Sequence, residues 1–244
     1  MKHFVYFFLN YNSFYNLLGD GSKFGVKFTY KFQKKPIGIV DAFLIGESFI
    51  KKDKVCLVLG DNIFYGQGFL SKLNRAKNRS KGATIFAYPV NNPENFGVIE
   101  FNKKNKALKI EEKPKKPKSN FAIPGLYFYD NSVVNYSKKI KLSKRNELEI
   151  SDLNNIYLNK NSLFVEEFGR GFAWFDSGTY EGMHNAGSFI QMVEKRQNLQ
   201  IGCLEEIACR NNWISPNTLI NMGRNSKKSS YGDYLIKIGR ELKK

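Results

Sequence analysis

The chain has 244 residues, 42% hydrophobic and 25% charged, which is enough apolar material for one large core and excludes a disordered or fibrous protein. Lysine and arginine number 39 against 22 acidic residues, for a net charge of +17. That balance suits nucleic acid, a membrane surface or small anions. The basic residues are scattered, however, with the densest cluster at 113–118, so compositional drift accounts for much of the excess and nucleic-acid binding is not expected. Cys56, Cys203 and Cys209 form no CxxC pair, and His3 and His184 leave little material for a zinc site or a Ser/His triad. A reducing, cytoplasmic setting fits this cysteine usage.

Residues 1–9 carry a charge and then an aromatic run, too short to span a membrane and with no small-residue cleavage site after it. That run suits a strand. Residues 13–18 read as a short helix ending in the turn Gly19-Asp20-Gly21-Ser22, and 27–32 alternate as a strand. Val40, Phe43, Leu44, Phe49 and Ile50 recur at helical spacing over 39–50. Residues 55–59 then predict a buried strand, with Cys56 inside it as a small core residue. The strand stops at Gly60-Asp61-Asn62, either a plain turn or a carboxylate placed where open α/β sheets bind ligands.

A helix over 68–78 and a strand over 83–90 continue an alternation that predicts a doubly wound α/β sheet. The middle predicts strands at 97–101, 107–111 and 121–129, the first two joined by a polar Asn/Lys turn, so the sheet is mixed, with antiparallel pieces. Helices follow at 132–140 and 150–159, then strands at 164–168 and 171–175. The last strand runs into Asp176 and a helix whose apolar face is Met183, Ala186, Phe189, Ile190 and Val193. Helices at 204–210 and 231–242 complete one domain, 1–244, whose part beyond about 200 is a helical C-terminal addition.

Several side chains suit phosphate and sugar chemistry. Asp61 and Asp176 both end apolar strands, and two carboxylates on one edge suit Mg²⁺, although Asp176 can equally cap the next helix. Glu112 beside Lys113 pairs an acceptor for sugar hydroxyls with a cation for phosphate, or is a solvated turn. Arg145 offers a fork for phosphate or is a surface residue. Gly97 and Gly125 permit close backbone approach. Trp174 and Tyr127 are core residues or stacking platforms.

In order and spacing, Gln33 to Gly38, Leu59-Gly60-Asp61-Asn62, Asn95-Phe96-Gly97-Val98, Glu111-Glu112-Lys113-Pro114, Gly125-Leu126-Tyr127-Phe128-Tyr129-Asp130, Arg145-Asn146-Glu147-Leu148-Glu149-Ile150 and Trp174-Phe175-Asp176-Ser177-Gly178-Thr179 resemble the glucose-1-phosphate thymidylyltransferases. The resemblance runs from about Phe14 to the C-terminus. It implies a Rossmann-like nucleotidyltransferase sheet, mixed and mostly parallel, flanked by helices. It implies Mg²⁺-dependent transfer from dTTP to glucose 1-phosphate, giving dTDP-glucose and pyrophosphate for dTDP-rhamnose, deoxysugar and cell-surface polysaccharide synthesis. Asp61 and Asp176 would hold the metal, and Lys113 with Asp61 would be catalytic. Gln33 and Gly38 would read the base, Lys113 and Arg145 would hold the sugar phosphate, and Gly97, Glu112 and Tyr127 would contact glucose with Trp174 lining the pocket. A homo-oligomer, a tetramer by the resemblance, is expected.

The likeness departs at two places. Ile37, Val40 and Asp41 stand around the base-reading loop where the family prefers other residues. The family's opening strand and G-x-G-T-R loop, which wraps the triphosphate, has no counterpart here. Little or no turnover is expected from the chain as written, and a catalytically inactive form keeping the sugar-phosphate and oligomer surfaces is the alternative.

Overall fold

The computed structural model describes residues 3–8, 12–102, 106–226 and 229–243. It divides into two compact units, one formed by Met1–Phe32 with Gly187–Lys244 and the other by Gln33–Ala186.

In the first unit, β1 (His3–Phe8) pairs in parallel with β2 (Lys27–Phe32), joined through α1 (Asn12–Leu18) and a one-turn helix, Ser22–Phe24. Phe24 and Val26 pack with Ala208 of α8 (Leu204–Arg210) and with Trp213. Two further helices, α9 (Pro216–Asn225) and α10 (Ser230–Glu241), close over Leu219, Leu235 and Ile238. The sequence reading missed α9, although its start carries a plain signal. Ser215 accepts a hydrogen bond from the Thr218 backbone N–H at 3.1 Å, and Pro216 occupies the first turn.

The second unit holds the large sheet. Its strands are β3 (Val55–Val58), β5 (Ala83–Pro89), β6 (Gly97–Phe101), β7 (Ala107–Glu112), β8 (Phe121–Ala122), β9 (Leu126–Tyr129) and β10 (Leu163–Glu167). They lie in the order β3-β9-β5-β8-β6-β7, with β10 paired to β5. The sheet is mixed, as expected. The β10–β5 ladder is parallel, and β9 inserts antiparallel between β3 and β5, so β3, β5 and β10 all run the same way. Part of the predicted turn between β6 and β7, at 103–105, lies outside the described residues.

Three local expectations change. The helix predicted over 39–50 is two short ones, α2 (Asp41–Ile45) and α3 (Glu47–Ile50), broken at Gly46. The strand predicted over 121–129 is split into β8 and β9 around Pro124, which cannot donate to a ladder. Strand β3 is only half-buried, with Val55 and Leu57 packed against the core and the alternate residues exposed. It ends the sheet order, Val58 is 53% exposed and Cys56 is exposed rather than part of the core. Periodicity cannot separate an edge strand from a central one.

The elements that reach the site are α6 (Ile150–Asn159) and a two-stranded ribbon. Helix α6 lies against β7, where the Asn155 amide takes up the Ile110 backbone: its Nδ2 donates to the Ile110 carbonyl at 2.8 Å. The ribbon pairs β4 (Asn62–Gly66) antiparallel with β11 (Phe172–Asp176), setting Asp176 opposite Asn62. An aromatic stack anchors it. Phe168 lies 3.9 Å from Phe172 and 4.8 Å from Phe86, rings nearly parallel, with Phe69 of α4 (Phe69–Asn78) edge-on. Phe168 is fully buried, so Phe168→Ala is expected to lower the unfolding free energy by about 3–5 kcal/mol, read by chemical denaturation.

Candidate functional site

The site is built at the ends of these strands within the second unit. Strand β3 gives way to the turn 59–62, and the Asn62 side chain fastens what lies around it. Its Oδ1 accepts the Gly125 backbone N–H at 2.8 Å and the Trp174 indole N–H at 2.8 Å, while its Nδ2 donates to Asp61 Oδ1 at 2.7 Å. Sequence reasoning quoted Asn62 in a motif but gave it no role. Its hydrogen bonds reach residues 63 and 112 positions away, which no local pattern reveals.

Asp61 and Asp176 come together through the ribbon rather than through the large sheet. The Ser177 backbone N–H and hydroxyl both donate to the Asp61 carbonyl at 2.8 Å. Both carboxylates crowd Gly178, where a Cβ would stand 3.0 Å from Asp176 Oδ1 and 3.4 Å from Asp61 Oδ2. Among the described residues no group of three or more His, Cys, Asp or Glu side chains gathers as a closed metal cage. Two converging carboxylates are nevertheless the donor set that suits Mg²⁺ when substrate phosphates supply further oxygens.

A pocket of about 190 Å³ opens beside them. Of the sequence-predicted residues, Gly97, Glu112, Lys113, Tyr127, Arg145, Trp174 and Asp176 line it. Asp61 joins through its convergence with Asp176. Gln33 and Gly38 do not line it: Gln33 Nε2 donates to Asp41 Oδ2 at 3.0 Å and to the Gly38 carbonyl at 3.3 Å, so these two residues sit together. Gly97 and Gly125 make room for protein. A Cβ on Gly125 would press to 2.6 Å from Leu59, and one on Gly97 would meet Ser151 Oγ at 3.0 Å. Tyr127 and Trp174 are both buried, in keeping with the core role left open for them.

The charged groups are tightly meshed. Arg145 sits in a turn closed by the Ser143 backbone N–H on the Glu147 carbonyl at 2.9 Å, with Asn146 in the left-handed region at φ 58. Its guanidinium is surrounded by Glu147 at 3.1 Å, Glu149 at 3.4 Å and Glu112 at 3.8 Å. A phosphate at Arg145 therefore shares the fork with carboxylates already there. Ser151 was another residue without a predicted role; its hydroxyl donates to Glu112 Oε2 at 2.6 Å. Burial pushes the Glu112 carboxyl up, with Glu149 adding to the rise, while the Ser151 bond, Arg145 and Lys113 pull it down. Lys113 is exposed, and its backbone N–H donates to the Phe96 carbonyl at 3.0 Å.

The chain is similar to proteins of known family. A family model described as nucleotidyl transferase matches residues 5–192. A glucose-1-phosphate thymidylyltransferase of Neisseria meningitidis is 56% identical over 93% of this chain and 78% of its own length. One from Xanthomonas campestris is 46% identical over 93% of this chain and 77% of its own. The chain belongs to the glucose-1-phosphate thymidylyltransferase family. A solved structure assigned to that family, from Bacillus anthracis with sucrose, is 36% identical with a TM-score of 0.67, over 77% of this chain and 74% of that one. A UDP-glucose pyrophosphorylase solved with UDP-glucose, at 18% identity and a TM-score of 0.67, shares the fold alone, over 78% of this chain and 81% of that one. Among the described residues no helix is long and apolar enough to cross a membrane.

A raised carboxyl in a thymidylyltransferase pocket has a consequence for stability. The native state holds the Glu112 proton more tightly than the unfolded chain, so its contribution is lost as pH rises through the raised value. Glu112→Gln keeps the shape and the Ser151 contact without the buried charge. Its melting temperature relative to wild type is expected to climb as pH goes from below the ordinary 4.5 to neutral, read by thermal melts across that range. A difference independent of pH contradicts this.

Proposed function

We propose that the chain transfers the thymidylyl group of dTTP to the phosphate of glucose 1-phosphate, giving dTDP-glucose and pyrophosphate. The observation that carries the reading is the single pocket in which Lys113 and Arg145 stand beside Glu112, with the Asp61 and Asp176 carboxylates converging at its edge. Kinship with relatives named for this reaction, at 46–56% identity, supports it.

In this reading Lys113 and Arg145 hold the sugar phosphate as a point charge and a fork, respectively. Glu112 accepts from a glucose hydroxyl while Ser151 and Arg145 keep it oriented. A phosphate oxygen so placed attacks the α-phosphorus of dTTP in line, and positioning accounts for much of the rate. Asp61 and Asp176 would be the residues that hold Mg²⁺. When bound, that ion neutralises charge developing on the phosphates. Gln33 and Gly38 are the proposed readers of the base. A homotetramer working in the cytoplasm, implied by the sequence resemblance, is part of the proposal, and sedimentation equilibrium decides the quaternary part.

Pyrophosphate release from dTTP and glucose 1-phosphate with Mg²⁺ tests the reading, with glucose 1-phosphate binding measured separately by calorimetry. Whatever turnover the chain supports is expected to vanish with a chelator. Asp61→Asn and Asp176→Asn are each expected to lower kcat/KM by about a hundredfold or more, as loss of a preorganised electrostatic contact does. Lys113→Ala is expected to raise KM for the sugar phosphate. Binding without turnover would instead establish the inactive form that keeps the sugar-phosphate surface. No binding at all would remove the proposal.

A further inference from the structure

Helix α6 presents two polar side chains three residues apart, and the site as described uses only the first. Ser151 is committed to Glu112. Asn154, one turn further on, is 0% exposed and still lines the pocket. Its Oδ1 accepts the Tyr129 hydroxyl at 2.7 Å. That bond sets the oxygen end of the amide towards Tyr129. The nitrogen end is thereby turned elsewhere, and Asn154 Nδ2 has no acceptor among the described residues. A buried donor without a partner is costly, and such groups persist where something outside the fold completes them.

We propose that Asn154 is a specificity-determining residue whose Nδ2–H donates to one hydroxyl oxygen of the bound sugar. The inference rests on the sugar-phosphate reading of the pocket and deepens it. A hydroxyl oxygen fits better than phosphate because the cations Lys113 and Arg145 already take the anionic end of the ligand. Asn154 is neutral and shares its helix face with Ser151, which leads to the carboxylate of Glu112. The pocket wall at α6 and β7 therefore offers a neutral donor near a carboxylate acceptor. Sugar hydroxyls both donate and accept, and this pairing matches them. Tyr129 is the positioning residue behind Asn154. It is itself wedged by Tyr157 at 5.5 Å and Tyr127 at 6.2 Å between ring centroids.

The test measures dissociation constants for glucose 1-phosphate and its 2-, 3-, 4- and 6-deoxy analogues by calorimetry. Wild type is compared with Asn154→Leu/Tyr129→Phe, a double variant that removes donor and anchor together and leaves no orphaned hydroxyl. The variant is expected to bind glucose 1-phosphate about tenfold more weakly, the worth of one neutral hydrogen bond. One deoxy analogue, lacking the hydroxyl that meets Asn154, is expected to bind both proteins equally. The other analogues should keep the same tenfold difference between the two proteins. If melting shows the double variant unfolded, Asn154→Ala/Tyr129→Phe, which removes the same donor and anchor without added bulk, is read in the same way. An equal loss for all five ligands, or no loss, overturns the inference, because a structural role or a buried water beside Asn154 would act alike on every analogue. Failure of folded wild type to bind glucose 1-phosphate overturns the site reading itself and this inference with it.

Discussion

The Asn62 amide is the constraint on which the rest of the site depends. It joins three pieces of chain by one planar group: the loop before β9 through Gly125, the ribbon through Trp174, and the turn after β3 through Asp61. A carboxylate in a surface turn is ordinarily free to swing. Here Asp61 is held from one side by the Asn62 amide, and its backbone carbonyl is held by Ser177. Convergence with Asp176 then follows from the β4–β11 register, which sets Asp176 across from Asn62. The aromatic stack of Phe86, Phe168 and Phe172 gives that ribbon a fixed seat. Packing at one end of the ribbon thus becomes precision at the other, and functional groups are held best on rigid elements of this kind.

The electrostatics of the pocket are less simple than a cluster of cations awaiting an anion. Arg145 is already neutralised by three carboxylates, of which Glu149 is buried. Under the proposed function, binding of a phosphate would have to reorganise an existing network. Glu112 is the member best able to respond, since burial already disfavours its charge and Ser151 gives it a partner in either protonation state. Lys113 stands outside this mesh as an exposed cation. The two basic residues accordingly differ in kind: one is a preset fork whose carboxylates hold its geometry, the other a mobile charge.

Much of this was legible in the chain, and the reasons for the rest are physical. The alternation of strand and helix, the apolar runs ending at Asp61 and Asp176, and the pairing of Glu112 with Lys113 are local patterns, and local patterns survive in sequence. The site residues that sequence left without roles, Asn62, Ser151 and Asn154, act through partners 25 to 112 positions away. Edge position is likewise invisible. Val55, Leu57 and Val58 look like a buried strand, but whether a neighbour covers them is a property of the whole sheet. Gly46 interrupts what otherwise reads as a continuous apolar stripe, and it marks the break between α2 and α3. In α9 the polar character of Asn217, Asn221 and Arg224 outweighed the Ser-Pro start, although Leu219 and Ile220 are buried.

Lys113 shows how the backbone itself sets roles. Strand β7 ends at Glu112, and Lys113 then takes φ 42, a left-handed conformation that costs a non-glycine residue on the order of 1 kcal/mol or more. The following Pro114 cannot relieve this, because proline disfavours the ordinary helical region for the residue before it. What holds the conformation is the Lys113 N–H bond to the Phe96 carbonyl, beside the Gly97–Glu112 pairing of β6 with β7. A regular strand would have sent Glu112 and Lys113 to opposite faces. The left-handed turn breaks that alternation, and both side chains line the same pocket. Backbone strain at this one residue accompanies the placing of an acid and a base adjacent in sequence on one pocket.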